Sequence, residues 1–189
     1  MTDIEICTAA LGFLGTAGIT SLDDDTDEAR ACKAFYSVTR DQVLEERIWT
    51  FAKAQYILVP AQDKPAFTWA NRFLVPGEVV RIHRVDDGSG DFRVPYDIHG
   101  KFIVSDAEKL YVTAVRREID TSLYSPTFTS ALVLRLAATL AIPLSENRQL
   151  KIDLMQEYQA TIKEASGLDG SQGPPETRRA STQWADRRR

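Results

Sequence analysis

Ser125-Pro126-Thr127-Phe128-Thr129-Ser130-Ala131-Leu132-Val133-Leu134-Arg135-Leu136-Ala137-Ala138-Thr139-Leu140-Ala141-Ile142-Pro143 decides the fold class. Serine caps helix starts and proline suits the first helical turn, so the segment opens as a helix. From Phe128 to Ile142 it is apolar on nearly all sides, and such a helix has to be covered by other elements. Arg135 interrupts the apolar run, and no stretch of the chain reaches the roughly 18 uninterrupted apolar residues of a membrane span. The reading is a buried central helix over 126–142, stopped by Pro143. Ser145 is expected to cap the next helix, over 146–166, where Leu150, Leu154, Tyr158, Ile162 and Ala165 recur at helical spacing. The short link makes the two an antiparallel hairpin.

Before this hairpin the texture is strand-like. Phe67, Trp69, Phe73 and Val75 alternate with Thr68, Ala70, Arg72 and Leu74, and Pro76-Gly77 turns the chain. Val79-Val80-Arg81-Ile82-His83-Arg84-Val85 follows, then the loop Asp86-Asp87-Gly88-Ser89-Gly90. Phe92, Val94, Tyr96 and Ile98 alternate again, His99-Gly100 is read as a turn into Lys101-Phe102-Ile103-Val104, and Leu110-Tyr111-Val112-Thr113-Ala114-Val115 is the clearest strand. Strands at this spacing with no helix between them indicate an antiparallel sheet or small barrel over about residues 55–120.

Two more helices precede the strands. Ile4, Cys7, Leu11 and Leu14 place one over 3–14, with Gly15 as its C-cap. Cys32, Phe35, Tyr36, Thr39 and Val43 form one face of another over 24–47, opened by the acidic run Asp23-Asp24-Asp25-Thr26-Asp27-Glu28 acting as cap and dipole partner. Asp23, Asp25 and Asp27 also match ligand positions 1, 3 and 5 of a calcium loop. Position 6 is Glu28 rather than glycine and position 12 is Ala34 rather than glutamate, so the cap reading is taken.

Hydrophobic residues make up 43% of the 189 and charged residues 26%, which excludes a disordered, collagen-like or coiled-coil chain. Residues 1–168 hold 18 Lys/Arg against 24 Asp/Glu, whereas residues 169–189 hold five against three. An acidic body argues against nucleic acid as principal ligand, because phosphate binding needs a basic footprint. The tail is rich in glycine and proline from Gly167 to Pro175, yet ends in Trp184, Asp186 and Arg187-Arg188-Arg189. A tryptophan in such a tail is a candidate anchor for something outside the body. Met1-Thr2-Asp3-Ile4-Glu5 lacks the basic-then-apolar order of a signal peptide. Cys7 and Cys32, the only cysteines, are read as small buried hydrophobes in a reducing compartment rather than as a disulfide or metal pair.

No catalytic constellation stands out. His83 and His99 are the only histidines, and no GxSxG, Walker loop, GxGxxG or HExxH is present. Asp87-Gly88-Ser89-Gly90-Asp91 joins two strands and so lacks the helix N-terminus that phosphate-cradling loops use. The expectation is a non-enzyme with no cofactor, no metal and no membrane partner. The residues leave open a small accessory protein that binds DNA through the basic tail or a ligand through the sheet loops.

With its segments laid out, the chain resembles the tail tubular protein A family, the head–tail adaptors of short-tailed phages. Ala10-Leu11-Gly12-Phe13-Leu14-Gly15, then Ile19-Thr20-Ser21-Leu22-Asp23-Asp24-Asp25 and Ala29, carry the first part of the likeness. Phe35-Tyr36, Arg40-Asp41 and Leu44 leading into Trp49-Thr50-Phe51-Ala52 carry the second, and Trp69-Ala70-Asn71-Arg72-Phe73-Leu74-Val75-Pro76 with Val80-Arg81-Ile82 the third. The fourth is Ser125-Pro126-Thr127-Phe128, Ala131-Leu132, Arg135-Leu136-Ala137 and Leu140-Ala141-Ile142-Pro143-Leu144, and finally Ser181-Thr182-Gln183-Trp184. The blocks run in family order over nearly the whole chain.

The resemblance implies a structural virion protein, made in the bacterial host cytoplasm. Family members form a ring, generally a dodecamer, beneath the portal, join it to the tail nozzle, and line the passage of the double-stranded DNA. Tail fibres are a further partner to consider. By resemblance the C-terminal segment reaches into the portal, which would give Trp184 an apolar pocket and Arg187, Arg188 and Arg189 carboxylate partners. The expected architecture is α+β: a four-helix bundle over residues 1–168, with a small antiparallel sheet or barrel domain inserted between helices 2 and 3. An extended portal-binding tail over 169–189 completes it.

Overall fold

Thr2 starts the first helix, α1 (Asp3–Leu14), by a capping box in which its hydroxyl accepts from the Glu5 N–H and the Glu5 carboxylate accepts from its own N–H. Gly15, at φ 72°, closes it in the left-handed conformation that glycine adopts freely. The computed structural model describes residues 1–88 and 94–169, with side chains to residue 165. The tail calls on Trp184 and Arg187, Arg188 and Arg189, and the strand call on Phe92, lie outside the described residues.

The structure is mixed α+β. After α1 come α2 (Asp27–Glu46), β1 (Lys53–Leu58), β2 (Asn71–Leu74), β3 (Val79–Asp86), β4 (Tyr96–His99), β5 (Phe102–Ser105), β6 (Leu110–Arg116), α3 (Pro126–Ser145) and α4 (Arg148–Asp169). The N-cap of α2 is Thr26, which accepts from the Ala29 N–H, so the helix starts at 27 rather than 24. Asp24 instead turns back to accept from the Thr20 and Ser21 N–H groups, each at 2.9 Å. Phe35, expected on the packed face of α2, is 38% exposed, because its neighbour Tyr36 occupies that face.

Ser125 caps α3 as the sequence indicates, accepting from the Phe128 N–H at 3.2 Å. Pro143 does not stop this helix, however. A proline inside a helix forfeits one backbone bond, and so close to the end the remaining turn closes regardless. The Ser145 hydroxyl donates to the Ala141 carbonyl at 2.7 Å, and the helix ends at Glu146, φ 51°, whose N–H reaches the Ile142 carbonyl. Ser145 therefore belongs to α3, and Asn147 caps α4 by accepting from the Leu150 N–H at 2.9 Å.

Ten α3 side chains are buried, from Phe128 to Ala141, and α1, α2 and α4 all pack against this helix. By length and mean hydropathy, 1.6, α3 is long and apolar enough to cross a membrane, although Arg135 interrupts its apolar run. Its apolar surface is used here in the helical core.

The strands form two antiparallel three-stranded sheets, ordered β1-β6-β3 and β2-β5-β4, with no closed barrel among the described residues. The alternation of Phe67 to Val75 becomes a strand only over Asn71–Leu74. Thr68 takes φ 73°, which no extended run tolerates, and Phe67 is exposed. His99 pairs with Phe102, so the tight turn falls on Gly100 and Lys101, one residue later than read, with Gly100 at φ 60°.

Two cores result. Leu58, Phe73, Val85, Ile103, Leu110, Val112 and Ala114 fill the space where the two sheets meet. Val115 turns the other way and joins the helical core, so β6 serves both.

Candidate functional site

Two histidines, a run of carboxylates and several uncovered apolar faces are what the described residues offer as chemistry. His83 lies on β3 and His99 on β4, strands of different sheets. His99 Nε2 stands 3.2 Å from Asp97 Oδ2 on an exposed edge strand. The acidic run before α2 does not converge. Asp23 pairs with Lys33 at 2.6 Å, Asp25 and Asp27 both engage Arg30, and Asp24 binds backbone. Hydrogen bonds from Ser21 and Thr20 hold the Asp24 carboxyl below its usual range. No group of three or more potential metal donors occurs among the described residues.

Where the helices meet the sheets the structure is polar and well connected. Arg81 of β3 donates through Nη1 to the Glu45 and Glu46 carbonyls, at 3.0 and 3.1 Å, satisfying the exposed end of α2. Asp41 of α2 receives Arg40 at 2.9 Å and Arg117, just past β6, at 2.7 Å. The Glu118 side chain is nearly buried. Burial alone would raise its pKa, but the Asp120 N–H, the Arg116 guanidinium and the Ile119 N–H together hold it below the usual range.

Beneath this seam lies an aromatic cluster. The Trp49, Phe51 and Tyr124 rings surround Phe128 with centroids 5.0, 5.0 and 4.7 Å away, in edge-on contacts. The Trp49 indole N–H donates to the Val43 carbonyl at 2.9 Å, and the Tyr124 hydroxyl to the Glu118 carbonyl at 2.9 Å.

The surface features the sequence reading passed over are two helix faces. A groove of about 600 Å³ runs along α4, lined among others by Arg148, Lys151, Ile152, Met155, Ala160 and Lys163. Ile152 is exposed, while Leu154, Tyr158 and Ala165 supply the buried side of the same helix. The available signal was that Ile152 and Ala160 fall outside the spacing of the buried set and are bracketed by lysines. On α2, Phe35 and Val38 are likewise exposed. No family model matches the chain, and no curated protein matches it.

Proposed function

We propose that the chain is a structural head-to-tail adaptor of short-tailed phage type, a ring subunit that joins a portal to a tail nozzle and has no catalytic role. One observation supports this reading best. Trp49-Thr50-Phe51-Ala52 and Ser125-Pro126-Thr127-Phe128, two blocks of the resemblance far apart in sequence, meet in an aromatic cluster of the helical core. The block that holds Trp49 also supplies Asp41, which ties α2 to Arg117. The two blocks thus pack as one structural unit, which is what supports reading them together. In this reading α1 to α4 form a bundle and the six strands are a domain inserted between α2 and α3. The acidic body faces the DNA passage, where like charge keeps phosphates from sticking.

The tail then makes the portal contact, with Trp184 in an apolar pocket and Arg187, Arg188 and Arg189 on portal carboxylates. Deleting residues 177–189 is expected to abolish binding to the portal of the same phage while leaving the thermal transition of the body in place. Native mass measurement of the chain mixed with that portal reads both the binding and the number of copies. A full-length chain that forms no complex at any ratio overturns the adaptor reading, and a truncated chain that still binds overturns the tail anchor.

A further inference from the structure

In the sheet β2-β5-β4 the buried face runs out one strand before the sheet does. Phe73, Ile103 and Ile98 stand side by side across the three strands and so share a face. Phe73 and Ile103 are fully buried between the sheets, yet Ile98 is 48% exposed. Two residues along, Ser105 is buried while Tyr96 opposite it is 40% exposed. The two edges of this sheet differ as well. The β2 edge is partly covered, since Pro60 bridges to Phe73 and the Ala61 N–H donates to the Arg72 carbonyl at 2.8 Å. Among the described residues no strand pairs with the far edge of β4. The two-residue turn Gly100-Lys101 makes His99 and Phe102 a hydrogen-bonded pair, so by alternation Ile98 turns its N–H and C=O outward. That N–H donates to the neighbouring Asp97 carboxylate at 2.7 Å. The other oxygen of Asp97 lies 3.2 Å from His99 Nε2.

A second β4, run antiparallel, complements this edge when the pair is centred on Ile98. Each Asp97 then stands opposite the other copy's His99, a carboxylate against a ring N–H donor, and each Tyr96 stands opposite Gly100. Centring the pair on Asp97 instead would set two carboxylates against each other. We propose that β4 is the docking edge for β4 of a second copy of this chain, joining two three-stranded sheets into one of six. The Ile98 N–H exchanges its Asp97 partner for the Ile98 carbonyl of the other copy, and Asp97 turns to the opposing His99. Tyr96 and Ile98 of both copies continue the buried face across the junction. The contact is isologous and closes at two copies, so it differs from the heterologous contacts that build a ring. A ladder this short buries little area, which makes the pair concentration-dependent.

Sedimentation velocity of the full chain across a concentration series is expected to show single copies passing into pairs. Ile98→Lys puts a charge at the centre of the junction and is expected to weaken pairing at least about tenfold. His99→Asp makes both charged positions of β4 acidic, and Asp97→Lys with His99→Lys makes both basic. Each variant alone sets like charges opposite one another and is expected to pair weakly, whereas mixing the two is expected to restore pairing. Ile98→Cys reads the register. Opposed hydrogen-bonded residues lie about 5.5 Å apart at Cα, within disulfide range, so oxidised glutathione, reduced in exchange, is expected to link two copies there. Two Tyr96→Cys positions would stand four residues out of register, about 13 Å apart, and are expected to link far less. Cys7 and Cys32 are buried and leave the introduced thiol as the exposed one. Asp97, Ile98 and His99 are all exposed, so thermal midpoints of dilute variants should match the unaltered chain and separate loss of contact from loss of fold. A chain that stays a single copy at every concentration overturns the proposal and leaves this edge to an extended segment of another protein. Pairing undiminished by Ile98→Lys, a mixture that fails to recover, or equal linking through Ile98→Cys and Tyr96→Cys would each overturn it too. No portal enters these experiments, so their failure and the failure of the adaptor reading are distinct.

Discussion

Three tyrosines carry much of the polar detail of the helical core. The Tyr36 hydroxyl donates to Asp3 at 3.0 Å, that of Tyr158 to Glu46 at 2.6 Å, and that of Tyr124 to the Glu118 carbonyl. Burial disfavours the phenolate at each, pushing Tyr124 up to about 12 and the other two higher still. Their folded pKa values therefore lie above the unfolded value near 10. The stabilisation they contribute is complete below pH 10 and is lost as pH rises from 10 through 12 and beyond. The thermal midpoint should fall steeply across that window, and Tyr158→Phe should make the fall shallower while costing about 1 kcal/mol at neutral pH through the lost hydrogen bond. An alkaline slope unchanged in Tyr158→Phe would show that this phenol is not among the groups responsible. The same scale explains a misreading. Phe35 and Tyr36 are adjacent in a helix, both aromatic, and a period of 3.6 cannot say which of two neighbours faces inward. Burial of Tyr36 with its Asp3 partner decides it, and that partner sits on another helix. Cys7 and Cys32 needed no such information, since each falls well inside its apolar stripe, and both are buried as read.

Elements were legible where their limits are set locally. The Ser125-Pro126 start of α3 and the Gly15 end of α1 follow from one or two residues and match the structure. The end of α3 did not, because the cost of Pro143 is offset by burial of the helix it interrupts, which depends on α1, α2 and α4. The helix is left to end at Glu146 with φ 51°, a conformation costly for any residue with a Cβ. Glu146→Gly is expected to stabilise the chain by about 1 kcal/mol, read as a rise in the midpoint of denaturant unfolding at unchanged slope. A midpoint that falls would mean the Glu146 side chain contributes more than its backbone costs. Of the candidate surfaces, the α4 groove escaped the sequence because spacing sets Ile152 apart from the buried stripe without showing that the face beside it forms a groove. Only the position of α3 shows which side of α4 is left over.

At the scale of the whole molecule the question is how the helical core and the sheet core behave as one body. Strand β6 is the link: Val112 and Ala114 face the core between the sheets, Val115 faces the helices, and both neighbours of the strand are hydrogen-bonded to it. Around it Arg81 holds the end of α2 from β3, and Arg117 holds Asp41 from just beyond β6. A strand buried on both faces cannot leave one core without disturbing the other, so the two should melt together. Phe73 tests this, because it is fully buried in the sheet core and belongs to no helix contact cluster. Phe73→Ala should cost about 3–5 kcal/mol, and two-state coupling would spread that loss to the helices. Hydrogen exchange is expected to accelerate in the slowest amides of α3 by the same factor as in those of β5 and β6. Acceleration confined to the strands would separate the molecule into two independently stable parts, with β6 belonging to the sheets alone. Uniform acceleration would mean that the helices and the sheets open as one cooperative unit, with β6 holding both.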